Sequence, residues 1–170
     1  VLPQLPYWIQ AVAGTMQKGA MLFVDYGYAR DEYYLPERDD GTLLCYFRHR
    51  AHDDYFVWPG LQDITASVDF TALAEAGVSA GFDLAGYCSQ TSFWLSNGLP
   101  EYIASLDQEE NEIARYRENQ NIKKLIMPNE MGERFQFMGF TREVDFSASF
   151  AQGDLSYRLW VLFCVGEIFG

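Results

Sequence analysis

Three observations predict an α/β fold with strands and helices alternating along the chain. The run Ala20-Met21-Leu22-Phe23-Val24 is continuously apolar and is bounded by Gly19 and by Asp25-Tyr26-Gly27. It reads as a short strand buried on both faces inside a parallel sheet. The pattern then repeats as strand, helix, strand, helix, strand, which is the doubly wound arrangement. Finally, no GxGxxG turn follows a strand, although a free-standing sheet of this class usually begins with one. The chain therefore reads as one domain over residues 1–170 that holds part of a sheet.

The elements follow in order. Leu5 to Gln17 places Trp8, Ile9, Val12 and Met16 at helical spacing, an amphipathic helix feeding the first strand. Residues 29–62 form a long segment rich in charge, Tyr, Gly and Pro, with one short strand at Gly41–Phe47. Segments of this length without regular structure are usually functional or disordered, and the aromatic content argues for order. Phe70 to Ala80 is a helix with a small-residue face, started by Asp69 or Thr71 and stopped by Gly81. Phe82 to Ser89 is a second strand that delivers Ser89, Gln90 and Thr91 to its end, and Phe93 to Gly98 is a helical turn. Glu101 to Met127 reads as one long polar helix ended by Pro128. Phe135 to Thr141 alternates as a third strand, and Asp154 to Phe163 reads as a closing strand.

Composition narrows the function. With 49% apolar and 16% aromatic residues, the chain is far from the disordered range. No apolar run approaches the ~18 residues of a membrane span. The chain opens on Val1 without a signal-type segment, so a processed chain or one cut from something longer is expected. A net charge of −12 repels phosphate backbones and disfavours nucleic acid, whereas a basic protein or peptide suits it as a partner. Cys45, Cys88 and Cys164 are odd in number and far apart, so neither a disulfide framework nor a zinc site is expected. Buried thiols in a reducing cytoplasm or organelle matrix fit them best.

Five clusters carry the chemistry: Asp25-Tyr26-Gly27-Tyr28; Gly41-Thr42-Leu43 followed by residues 48–54; residues 59–70; Ser89-Gln90-Thr91-Ser92-Phe93; and Pro128 to Phe135. The strings Asp25-Tyr26-Gly27, Asp63-Ile64-Thr65 with Val68-Asp69-Phe70, and Met131-Gly132-Glu133-Arg134-Phe135 are specific in combination. In this order they resemble the C-terminal half of the MidA-type methyltransferases, the family that includes the mitochondrial arginine methyltransferase assisting complex I assembly. The resemblance runs from Gly19 to Thr141. It implies the C-terminal part of a Rossmann-like class I methyltransferase sheet, with Met21–Asp25, Leu84–Ser89 and Phe135–Thr141 as its fifth, sixth and seventh strands. It also implies S-adenosylmethionine as the cofactor of the full-length parent. The family's Gly-rich turn and acidic cofactor-binding residue lie upstream of anything present here, so no cofactor-binding residue is assigned. Bacterial relatives often carry His where this chain has Ser67. The location implied is a bacterial cytoplasm, or the mitochondrial matrix in a eukaryote.

The candidate residues each have a plainer reading beside the functional one. Asp25 ends a strand where α/β sheets bind ligands, and is a catalytic candidate or a turn cap. Tyr26 and Gly27 shape the same site, or Gly27 supplies a positive φ. His49 and His52 adjoin Asp53 and Asp54; the pairing suits a general base, a solvated loop cluster, or a metal pair lacking a third ligand. No metal is assigned. Asp63, Thr65 and Asp69 flank a helix start and are expected to contact substrate or to cap. An arginine acceptor needs carboxylates to hold its guanidinium, and Asp25, Asp63 and Asp69 are available. Gln90 is a substrate candidate or satisfies backbone groups. Glu133 and Arg134 are expected to pair across their turn, with a place at the substrate edge as the alternative.

Two functions compete: the C-terminal portion of a protein arginine methyltransferase, inactive as a fragment, and a non-catalytic module that binds a basic protein. For assembly, Met21–Asp25 is expected between an upstream strand and Phe135–Thr141. Its open edge, with Leu22, Phe23 and Val24 uncovered, predicts a homodimer. The alternative is that the helix Leu5–Gln17 folds over that edge.

Overall fold

The computed structural model of the chain describes residues 2–48, 50–108 and 111–159. Helix α1 (Leu5–Thr15) carries Pro6 in its first turn, where a missing N–H costs nothing. It leads into strand β1 (Gly19–Tyr28), a short helix α2 (Arg30–Tyr33), and strands β2 (Leu44–Phe47), β3 (Arg50–His52), β4 (Asp63–Thr65) and β5 (Val68–Asp69). Helix α3 (Phe70–Ser79), strand β6 (Asp83–Ser89), helices α4 (Gln90–Ser96), α5 (Leu99–Leu106) and α6 (Glu112–Ile126), and strand β7 (Phe135–Arg142) complete the order.

The main sheet has the order β5-β1-β7-β6. Strand β7 runs antiparallel to both neighbours, in register with β1 from Gly19↔Arg142 to Tyr26↔Phe135. Only β5 is parallel to β1, and it pairs at Gly27 and Tyr28 alone. A mixed sheet with helices is therefore the architecture, as the α/β expectation requires. A second, antiparallel sheet of order β3-β2-β4 is built from the long segment after β1. The strand expected at Gly41–Phe47 is its centre, and β3 and β4 were not legible because each has only three residues.

Helices α1 and α3 cover one face of the main sheet. Ile9, Phe70, Leu73 and Ala74 bury against Met138 and Phe140, with Phe23 and Met21 packed alongside. The small face of α3 works as expected, since a Cβ at Gly77 would stand 2.2 Å from the Phe140 ring. Arg142 joins the two helix ends by donating to the carbonyls of Ala13 at 2.8 Å, Met16 at 2.6 Å and Ala80 at 2.8 Å. These carbonyls lie at the C-terminal ends of α1 and α3, where a cation also meets the negative ends of two helix dipoles. On the other face, Cys88, Phe93, Phe137 and Phe150 form a smaller cluster.

Several expectations are corrected here. Strand β1 is not buried on both faces of a parallel sheet. Met21 and Phe23 turn inward, while Leu22, Val24 and Tyr26 remain 42%, 45% and 42% exposed. An apolar run shows what a strand can bury, and among the described residues only one face of β1 is covered. Phe23, expected to be uncovered, is packed edge-on by Trp8 at 6.0 Å and Phe140 at 5.9 Å. The long helix from Glu101 is two helices, because Asn111 starts α6 by accepting from the N–H groups of Ile113 and Ala114, both at 3.1 Å. Residues 156–159 form a 3-10 turn rather than a strand, and the rest of the predicted closing strand, with Cys164, lies outside the described residues.

Candidate functional site

The chain leaves the main sheet after Tyr28 and returns to it at Val68, so the small sheet hangs from the carboxyl end of β1. That junction is tightly locked. The Arg30 N–H donates to Thr71 Oγ1 at 3.0 Å, and the Arg30 guanidinium grips both oxygens of Glu75 at 2.8 and 2.6 Å. Asp69 lies 3.6 Å from the same guanidinium. The hydrogen bonds it donates to Glu75 raise the Arg30 pKa against the opposing cost of burial. Arg38 lies over the Tyr28 ring with its guanidinium carbon 3.7 Å from the centroid. Arg158 reaches Glu32 at 2.7 Å and so binds the turn at Ser156–Leu159 to α2.

Asp25 does not end its strand as expected: β1 runs on to Tyr28, and Asp25 is an exposed residue within it, one of whose carboxylate oxygens accepts from the Tyr26 N–H at 2.8 Å. The other oxygen carries no hydrogen bond among the described residues. Across the sheet, Asp25 is in register with Gln136 on β7, which is in register with Ser89 on β6. Strand alternation puts these three on the face shared by Phe23 and Met138. Gln136 Nε2 donates to the Glu133 carbonyl at 3.0 Å, while Gln136 Oε1 is buried without a partner. Buried acceptors are nearly always satisfied, so this orphan beside an exposed carboxylate marks the place. The sequence reading missed Gln136. The signal was a polar residue on the inward side of Phe135-Gln136-Phe137-Met138, among apolar neighbours.

Tyr26 is half open to solvent on the opposite face, its ring 4.8 Å from Phe135. Gly27 does not have a positive φ, and its requirement is space: a Cβ there would meet the Val68 carbonyl oxygen at 2.1 Å. Asp69 caps α3 by accepting from the Ala72 N–H at 2.9 Å, while Thr71 serves Arg30 instead. Asp63 is exposed on β4, and Thr65 donates its hydroxyl to the Leu44 carbonyl at 3.1 Å within the small sheet. Gln90 is buried and donates to the Leu125 carbonyl at 2.7 Å, next to Thr91 on Ile126 at 2.8 Å, so both close the end of α6. Glu133 does not pair with Arg134; it accepts from Ser89 Oγ at 3.3 Å.

His52 lies on β3, and the expected pairing with Asp53 or Asp54 is absent. Its Nε2 is buried without a partner and its ring meets Trp58 edge-on at 5.7 Å. Asp54 instead accepts from the Phe56 N–H at 3.0 Å, which fixes its turn. His49 lies outside the described residues. Among the described residues no group of three His, Cys, Asp or Glu side chains is placed to hold a metal. The predicted residues thus fall into separate places: Asp25, Tyr26, Gly27 and Asp69 along β1 and β5, Asp63, Thr65 and His52 on the small sheet, and Gln90 under α6.

Comparison with known proteins accounts for this architecture. Residues 1–88, just over half the chain, match the model of a family of S-adenosyl-L-methionine-dependent methyltransferases. The chain is 35% identical over 123 residues to the mitochondrial protein arginine methyltransferase NDUFAF7 of Danio rerio, and 33% identical over 124 residues to that of Homo sapiens. These matches take in 70% of this chain but 26% and 25% of the relatives, so the chain spans about a quarter of their length. An uncharacterized COG1565 superfamily protein of Burkholderia thailandensis superposes with a TM-score of 0.83 at 44% identity, over 89% of this chain and 41% of that one. A superfamily member from the same organism, solved with S-adenosyl-homocysteine bound, gives 0.79 at 43% identity, over 89% and 39%. The order of motifs along β1, β5 and β7, the mixed sheet and these matches agree, and the chain belongs to the MidA-type family of S-adenosyl-L-methionine-dependent methyltransferases.

Proposed function

We propose that this chain is the C-terminal portion of a protein arginine methyltransferase and that it supplies the acceptor side of the site. The observation that carries this reading is Asp25. Its carboxylate is exposed within the carboxyl-terminal half of β1, has one oxygen uncommitted among the described residues, and is in cross-strand register with Gln136, whose Oε1 is unpartnered. Both groups accept hydrogen bonds, and a guanidinium is purely a donor. A carboxylate–guanidinium contact aligns the acceptor nitrogen, and alignment is most of what a methyl transfer from an already activated donor demands. The net charge of −12 favours a basic protein segment as the acceptor, and the names of the curated relatives support arginine.

Among the described residues, the carboxyl end of β1 leaves no room for a cofactor cradle. At the carboxyl end of β1, Gly27 is closed against β5 and the Tyr28 ring is covered by Arg38. S-adenosylmethionine supplies the activated methyl group in this family, and its cradle is assigned to upstream strands of a longer protein. The chain's own part is to bind and orient the acceptor.

The test is Asp25→Asn in a protein that includes those upstream strands, with methyl-transfer rate and thermal unfolding measured side by side. The charged contact is worth about 1.5–3 kcal/mol, so the rate falls at least about tenfold while the melting temperature barely moves. An unchanged rate, or simple unfolding, removes Asp25 from the site. Calorimetric titration of the 170-residue chain with S-adenosylmethionine checks the second part: tight binding by this chain alone contradicts an upstream cradle.

A further inference from the structure

The small sheet carries a groove that the methyl-transfer reading does not use. It encloses about 730 Å³ and is lined by Phe47, Ala51, Val57 and Trp58 together with Arg48, Arg50, His52 and Asp54. Trp58 forms its aromatic wall, with the Phe47 ring 4.4 Å away at 31° and the His52 ring set edge-on. Arg48, Arg50 and His52 line this space, and the exposed Arg48 guanidinium lies over the Phe47 ring with its carbon 5.3 Å from the centroid. Arg48 and Arg50 make no ion pair among the described residues, and His52 Nε2 is buried without a hydrogen bond. Asp54 is the one carboxylate in the lining, and its Oδ1 is committed to the Phe56 N–H. In a chain of net charge −12, two guanidiniums with no ion pair among the described residues favour an anion at this site.

The backbone specifies the form of that anion. Strand β3, which supplies Arg50, Ala51 and His52, is the edge of its sheet, paired with β2 on one side only. Its outer N–H and C=O groups have no backbone partner among the described residues. An open strand edge beside an apolar wall is the arrangement that takes an extended peptide as an added strand. We propose that this groove binds an extended acidic peptide, pairing with the outer edge of β3, placing an apolar side chain on Trp58 and a carboxylate between Arg48 and Arg50.

The test uses the 170-residue chain and the peptide acetyl-Glu-Leu-Glu-Leu-Glu-amide, with its all-Gln counterpart and inorganic phosphate as the other probes. Binding is read from the His52 imidazole resonances and from calorimetry. The Glu peptide is expected to shift the His52 resonances and to bind about tenfold or more tightly than the Gln peptide, and Arg50→Gln is expected to remove that preference. Arg50 is exposed, so the variant is expected to fold, and its melting curve verifies this; Arg48→Gln provides the same reading if it does not. Equal binding of the two peptides, no binding of either, or an Arg50→Gln and Arg48→Gln pair with unchanged preference overturns the proposal. So does phosphate shifting His52 as strongly as the Glu peptide at equal concentration, which makes the groove a small-anion site.

Discussion

Gly27 and Val68 are in contact so close that a Cβ on the glycine would stand 2.1 Å from the Val68 carbonyl oxygen and 2.8 Å from its nitrogen. This contact is the point where the segment after β1 rejoins the main sheet, because β5 pairs with β1 only at Gly27 and Tyr28. The Phe70 ring lies 2.9 Å from the same position, so a side chain there also meets the core.

Gly27→Ala is therefore expected to cost about 1–3 kcal/mol or more, since backbone atoms rather than a flexible side chain must give way. Urea unfolding measures it. Amide exchange at Val68 and Asp69 is expected to rise in the variant, because the β1–β5 bonds open first. A glycine needed only for its conformation or for substrate contact would leave stability intact.

Much of this architecture was legible in the sequence because it rests on periodicity and end signals. Helix α3 with its Asp69 cap, strand β6 and strand β7 lie where spacing put them, since their apolar faces meet a real partner. The covered and open faces of β1 were not legible. Residues Ala20 to Val24 are apolar on both sides, and only the neighbours decide which side is buried. The split of the long helix was readable in principle from Asn111, a strong N-cap, but no apolar break accompanies it. At the site, Asp25 was visible as a carboxylate closing an apolar run, although the strand itself continues to Tyr28. Gln136 was not, because its meaning comes from a cross-strand register with Asp25 that sequence does not show. Asp69 and Gln90 looked functional for the same reason that made them structural: polar side chains at element ends satisfy backbone groups.

The Arg30 clamp yields a second prediction. Its two parallel bonds to Glu75 need a planar fork, and an ammonium supplies only a point charge. Arg30→Lys is expected to lose about 1 kcal/mol in urea unfolding, a modest figure because both side chains are about one-third exposed. Glu75→Gln in the Lys background is expected to add little further loss, as a double-mutant cycle would show. A full additive loss would mean that the fork is not the interaction that holds α2 to α3.

Cys88 gives a third prediction, in the alkaline range. Burial, with a smaller contribution from Asp154, pushes its thiol up to about 12 from an ordinary 9.0. The unfolded chain therefore releases this proton first, and the folded state keeps it. Its contribution to stability is fully present below about pH 9 and is lost progressively as pH rises toward 12. Tyr87, whose phenol is also raised by burial, acts in the same direction. Urea midpoints are expected to fall between pH 8.5 and about 10.5, and Cys88→Ala to flatten that fall. Thiol reagents at pH 8 should leave Cys88 unmodified until the chain unfolds. A variant with the same pH slope as the parent would place the alkaline loss elsewhere.

The last prediction concerns the open side of β1. Beyond its pairing with β7, the strand meets β5 only at Gly27 and Tyr28, so from Ala20 to Tyr26 its other edge has no strand beside it among the described residues. The helix α1, an alternative cover, lies instead on the α3 face, where Ile9 is fully buried and Trp8 meets Phe23. It leaves Leu22, Val24 and Tyr26 nearly half exposed on the opposite face. Unpaired backbone groups beside an apolar stripe form a template for another strand, and each aliphatic side chain gains up to roughly 1.5–3 kcal/mol on full burial. In the isolated 170-residue chain, the occupant we predict is a second copy, with the two β1 edges antiparallel about a twofold axis. Sedimentation at micromolar concentration is expected to show a dimer. Val24→Lys is expected to convert it to monomer with little change in unfolding, because the charge sits on the exposed face. A clean monomer of the unmodified chain, or a dimer indifferent to Val24→Lys, would show that the two copies do not meet at this edge.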